Sequence, residues 1–225
     1  MLGILGLILS LFINIDFNPT NKEQNSTSSN GFSIHNFIAK EAVPVAIVML
    51  LVGITYAAIL TYLQAFAEQR DLVSAASYFF IFYAVASLVT RPIAGRLMDS
   101  KNENVVVYPS FIALILSFIC LMFSFNSGLL LLSGVLLGIG YGNLSSSMQA
   151  ISIKVSPSFK YGLATSTYFI GLDVGIGFGP SFLGLFTHMI SYSQIYGAMA
   201  ILGILTTIVY FFVHGKKVKN TYSYE

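Results

Sequence analysis

Charge is what this sequence has least of: Asp, Glu, Lys and Arg make up 9% of its 225 residues, against about a quarter in a soluble domain. Hydrophobic residues make up 56% and the mean hydropathy is +0.79, more apolar surface than a soluble fold could hide. Cysteine is scarcer still. Cys120 stands alone inside an apolar run, which excludes an intramolecular disulfide and leaves a packing thiol. Signatures of catalysis are missing too: there is no Walker loop, no His-Glu-x-x-His and no Gly-x-Ser-x-Gly, and His35, His188 and His214 lie far apart. These absences point away from an enzyme, a bound metal or a cofactor. Without an ATP site, any transport would run on an ion gradient or passively.

What the sequence does contain is apolar runs long enough to cross a bilayer, at roughly 20 residues each. Six are present, at 43–66, 75–97, 105–125, 129–153, 161–188 and 193–214. They predict an all-α polytopic membrane protein with a six-transmembrane-helix bundle over 43–214. A seventh run, 1–15, reaches only about 22 Å as a helix, short of a hydrocarbon core of about 30 Å. No Lys or Arg precedes it, as a signal peptide would require, so it reads as the remnant of a preceding transmembrane helix. Residues 16–42, with Asn21 to Gly31 at their centre, are polar and low in complexity and predict a flexible cytoplasmic loop. Residues 215–225 form a basic tail.

Orientation follows from the cations, because short cytoplasmic loops accumulate Lys and Arg. Lys22, Lys40, Arg91, Arg96, Lys101, Lys154, Lys160, Lys216, Lys217 and Lys219 fall on one side of the spans, and Arg70 alone on the other. Both ends of the six-helix unit are therefore expected in the cytoplasm of a cell-membrane protein. The net charge of +2 is mostly this bias, and it implies no nucleic-acid partner. Glycine is patterned as well: Gly134, Gly138 and Gly142 recur every fourth residue, as do Gly171, Gly175 and Gly179. Such small-residue stripes let helix backbones meet closely where lipid gives no hydrophobic drive for association.

At the end of the second run the chain reads Ser87-Leu88-Val89-Thr90-Arg91-Pro92-Ile93-Ala94-Gly95-Arg96-Leu97-Met98-Asp99-Ser100-Lys101. This resembles the Gly-x-Leu-x-Asp loop signature of the major facilitator superfamily, in the form found between its helices eight and nine, and the Arg-Pro resembles its drug:proton antiporter branch. After Asp99 the sequence departs from the family pattern, with Asn102, Glu103 and Asn104 in place of a Gly and paired basic residues. The resemblance implies that Arg91, Gly95, Arg96 and Asp99 latch the cytoplasmic side. Positive-inside anchoring explains the same cations.

A second stretch, Gly171-Leu172-Asp173-Val174-Gly175-Ile176-Gly177-Phe178-Gly179-Pro180, is similar to helix eleven of drug-export facilitators. Asp173 is the one acidic residue well inside a span, where a carboxylate is costly unless paired, hydrated or protonated. Helical spacing sets Ser166, Asp173, Gly177 and Pro180 on one stripe, opposite the glycine stripe. Asp173 is thus the candidate for proton coupling, with a helix-to-helix hydrogen bond as the alternative.

The resemblance covers nearly the whole chain: 1–15 as the end of helix six, 16–42 as the central loop, then helices seven to twelve. It implies half of a facilitator fold, a small-molecule substrate bound between two six-helix halves, protons as the coupling ion, and an N-terminal half supplied separately. Tyr56, Tyr62, Tyr83, Asn143 and Gln149 are the candidate lining of that cavity, where aromatic rings with a few amides suit a mostly apolar organic molecule. Proton-coupled export of a drug or small organic molecule is the implied function. The alternative is a non-transporting remnant, or a half-subunit that acts only with a separate partner.

Overall fold

The structure is a computed structural model that describes residues 38–187 and 189–216. The expected helix remnant at 1–15, most of the polar loop, the tail beyond 216, and His35 and His188 lie outside the described residues. Six long α-helices follow one another: α1 Val43–Gln69, α2 Val73–Ser100, α3 Asn104–Met122, α4 Ser127–Lys154, α5 Tyr161–Gly184 and α6 Tyr192–Tyr210. A 3-10 turn, Ser158–Lys160, leads into α5, and a π-helical turn, Phe211–Gly215, continues α6. Among the described residues there is no β-strand. A chain crossing hydrocarbon must satisfy its backbone groups internally, and helices do so residue by residue.

Five of the six helices are apolar and long enough to cross a membrane. The exception is α5, whose 24 residues suffice in length but include Gly, Ser, Thr and Asp173, which dilute its hydropathy. It also ends at Gly184, earlier than the run 161–188 suggested. Thr187 folds back so that both its backbone N–H (3.3 Å) and its hydroxyl (2.8 Å) donate to the Gly184 carbonyl, one of the terminal carbonyls that a helix leaves to partners outside it. Other ends are set by local chemistry. Pro44 starts α1 where no amide hydrogen is needed, the Asn126 side chain accepts from Leu129 N (2.8 Å) to open α4, and Ser191 and Gln194 cap α6 reciprocally.

The helices pair in the order α1 with α5 and α6, α2 with α4, and α3 with α4 and α6. Phe66, Phe79, Phe111, Phe118, Tyr196 and Tyr210 are fully buried among them. In α2 only one stripe is buried, including Ala76, Phe79, Ser87 and Ala94, and the rest of its surface points out of the bundle. The cationic residues Arg91, Arg96, Lys101, Lys154 and Lys160 all lie toward the end where α2 and α4 finish and α1, α3 and α5 begin, called here the basic end. At the opposite end Arg70 donates to Ser193 Oγ (2.9 Å) and stacks on Phe125 with 4.3 Å to the ring centre. It therefore ties the α1–α2 turn to the α3–α4 connection and the start of α6.

Candidate functional site

The two glycine stripes fix how the helices meet. A Cβ on Gly171 would run into the Ala46 carbonyl of α1, one on Gly175 into the Leu50 carbonyl, and one on Gly179 would lie 3.0 Å from the Ala57 methyl. In α4, a Cβ on Gly134 would lie 2.9 Å from the Phe79 carbonyl of α2, and those on Gly138 and Gly142 would strike the Tyr83 carbonyl and the Ser87 hydroxyl. Periodicity did not reveal the glycines that pack singly: Gly53 of α1, against the Leu172 carbonyl at 2.8 Å in the α1–α5 seam, and Gly140 of α4, against the Leu114 backbone of α3.

With Gly171, Gly175 and Gly179 buried against α1, the other side of α5 faces out of the bundle. Ser166, Asp173 and Gly177 are exposed there, and nothing lies within 4 Å of where a Gly177 Cβ would stand. Among the described residues no hydrogen bond or ion pair reaches the Asp173 carboxyl, although Tyr141 and Tyr168 lie within its electrostatic reach. Asp173 is 12 residues into α5, Tyr56 is 13 into α1, and Tyr141 stands 13 before the end of α4. At 1.5 Å per residue all three lie ~20 Å from the basic end, near the middle of the bilayer.

An aromatic cluster forms at this depth. Tyr56 and Tyr141 stack with centroids 3.8 Å apart and planes 6° from parallel, and Tyr83 tilts against Tyr56 at 6.3 Å. Nearer the basic end, Tyr168 of α5 donates to the Ser145 carbonyl of α4 (2.9 Å) and lies 3.1 Å from its hydroxyl. The charge of Arg91 reaches both Tyr83 and Tyr168. Tyr168 has no sequence signal of its own, standing between the Thr165-Ser166-Thr167 run and Phe169-Ile170 with no motif around it.

The expected cavity-lining residues therefore divide. Tyr56 and Tyr83 come together. Tyr62 lies toward the opposite end, donating to the Pro180 carbonyl (3.0 Å) with its ring 5.9 Å from Tyr192. Asn143 is buried and bridges helices, its amide nitrogen donating to Thr90 Oγ1 (3.1 Å) and the Ile139 carbonyl (2.9 Å). Gln149 is half-buried, nearer the basic end of α4.

The motif residues Arg91, Gly95, Arg96 and Asp99 are all exposed on α2. Arg91, Gly95 and Asp99 line a groove of about 250 Å³ against Ser146, Ser147 and Ala150 of α4. A neighbouring groove of about 330 Å³ joins Asp99 and Lys101 to Glu103 and Lys154. Among the described residues no ion pair joins Asp99 to a cation. At this end, among the described residues, Glu103 pairs with Lys154 and lies 3.0 Å from the His214 imidazole, and Glu41 pairs with Lys160 at 3.0 Å. A backbone hydrogen bond, and after it the hydrogen bond from Lys160, hold the Glu41 carboxyl below the usual range.

The family whose sequence model matches the chain, over residues 45–225, is the Major Facilitator Superfamily. A relative, the multi-drug resistance efflux pump PmrA homolog of Lactococcus lactis subsp. lactis (strain IL1403), is 30% identical over 132 residues. That stretch is 58% of this chain and 32% of the relative, so the match spans about a third of the relative's length.

Proposed function

We infer a transport role from the fact that the chain belongs to the Major Facilitator Superfamily. It is a multi-pass membrane protein of a transporter family, and its helices are built to lie in lipid. The reading is that it forms one side of a central cavity through which a small, mostly apolar organic molecule is exported, driven by protons. The name of the Lactococcus lactis relative supports export of drug-like molecules.

The observation that carries the proposal is Asp173. It sits near mid-membrane on the outward side of α5, exposed, at the depth of the Tyr56–Tyr141 stack. A carboxyl in that position is retained at a cost unless another body covers it or it takes up a proton. Two apolar grooves support a covering half. One, of about 390 Å³, lies between α2 and α4 along Phe82, Val85 and Ile139, and the other, of about 640 Å³, between α1 and α5 along Ile54, Phe178 and Phe182. They lie on the helices that carry Arg91 and Asp173. In this reading the motif groove of Arg91, Gly95, Arg96 and Asp99 is the cytoplasmic latch, and both ends of the unit are cytoplasmic.

The test is Asp173→Asn, which keeps shape and hydrogen-bonding reach but removes the titratable proton. In vesicles holding this chain together with an N-terminal six-helix half, the variant should assemble, lose uphill accumulation and keep downhill exchange. Retained uphill transport would remove Asp173 from the coupling role.

A further inference from the structure

Among the described residues, the basic end holds one buried carboxylate that the transport reading does not use. Glu103, the residue before α3, is 3% exposed. Its Oε1 accepts from Nζ of Lys154, the last residue of α4, at 2.5 Å, and its Oε2 lies 3.0 Å from Nε2 of His214. His214 belongs to the π-helical turn that ends α6, and single π turns are frequent at functional places in helices. The same turn is gripped from a second side. Tyr210 Oη donates to Asn104 Oδ1 (2.8 Å), and Asn104 Nδ2 donates to the Gly215 carbonyl (2.9 Å).

We propose that Glu103 and His214 form a proton-operated clasp, closed over the start of α3 when the imidazole is charged and loosened when it is neutral. Among the described residues that face Glu103, the imidazole is the one whose type changes charge between pH 5 and 8. The others are the Lys154 ammonium from α4, Asp99 of α2 and Lys101 across the shared groove, Tyr108 of α3 against Gly215, and Tyr210 of α6. Carboxylates, amines and phenols ordinarily titrate outside that window.

Glu103 stays charged through it. The hydrogen bond from His214 and then the Lys154 ammonium hold its carboxyl below the usual range, against the opposing effect of burial. In the clasp the contact is an ion pair while the imidazole carries its second proton and a neutral hydrogen bond when it does not. Because Asp99 and Lys101 line the groove that Glu103 and Lys154 also line, the state of the clasp is felt at the α2–α3 connection. The end of α6 thereby senses pH on the basic side independently of Asp173.

The test is amide hydrogen exchange of the full 225-residue chain in lipid nanodiscs at pH 6.0 and 8.5, corrected for the intrinsic pH dependence of exchange. Protection of residues 211–216 should fall about tenfold at the higher pH, the difference between a charge-assisted and a neutral hydrogen bond. The centre of α4 should not change. His214→Gln should flatten the response. Equal protection of the unaltered chain at both pH values overturns the proposal, and so does an undiminished response in the Gln variant. Should that variant not fold, histidine-labelled NMR of the unaltered chain decides: titration of His214 must coincide with the loss of protection, and a separate midpoint overturns the clasp.

Discussion

A single methyl group at Gly175 should drive α1 and α5 apart. The new Cβ would meet the Leu50 carbonyl oxygen well inside contact distance and the Gly53 Cα at 3.1 Å. Both neighbours are backbone, so no side-chain rotation can clear the space, and overpacking of this kind costs ~1–3 kcal/mol. Gly177, two residues along, faces open space, and Ala there should gain ~1 kcal/mol from helix propensity. The two variants should therefore differ by ~2–4 kcal/mol in opposite directions from the parent. The assay is unfolding of the purified chain in mixed micelles by increasing SDS, with helicity read by circular dichroism. Gly175→Ala as stable as Gly177→Ala would refute the seating of α5 on α1.

With Cys120→Ala as background, single cysteines at Lys101 and Lys160 should be shielded from an impermeant thiol reagent in intact cells while one at Ser127 reacts. Labelling at Lys160 with none at Ser127 would reverse the topology. Glu103 gives a pH dependence of known sign. Its carboxyl is held below the ordinary 4.5, so its stabilising effect is present above that value and is lost as pH falls through the lowered one. Thermal unfolding should therefore become acid-sensitive below pH 4.5, and Glu103→Gln should remove that part of the sensitivity; an unchanged acid slope in the variant would contradict the pairing.

Much of the fold was legible because a bilayer imposes a length: apolar runs near 20 residues long gave six helices whose bounds shifted by only a few residues. The stripes of Gly134, Gly138 and Gly142 and of Gly171, Gly175 and Gly179 were legible from their spacing. What each stripe meets was not, because Leu50, Phe79 and Tyr83 lie far away in sequence. The site divided along the same line. Asp173 stood out as a lone intramembrane acid, and Tyr56 and Tyr83 as aromatics on neighbouring runs. Tyr168 gave no signal, and Asn143 proved a bridge to Thr90 rather than part of an open wall. Glu103 read only as a departure from the family's loop pattern, yet it is the buried carboxylate of the basic end. Its partners Lys154 and His214 are 51 and 111 residues distant, and no local pattern announces such a convergence.

What remains to be measured is whether this chain supplies one side of a proton-driven export site. Everted, acid-inside vesicles put this to the test, comparing the chain alone with the chain beside a separately expressed N-terminal six-helix half of a family member, with uptake of a lipophilic fluorescent dye as readout. Accumulation is expected only with both halves present, and a protonophore should abolish it. Accumulation that survives the protonophore, equal accumulation by this chain alone, or none although both halves co-purify as a folded complex would contradict it.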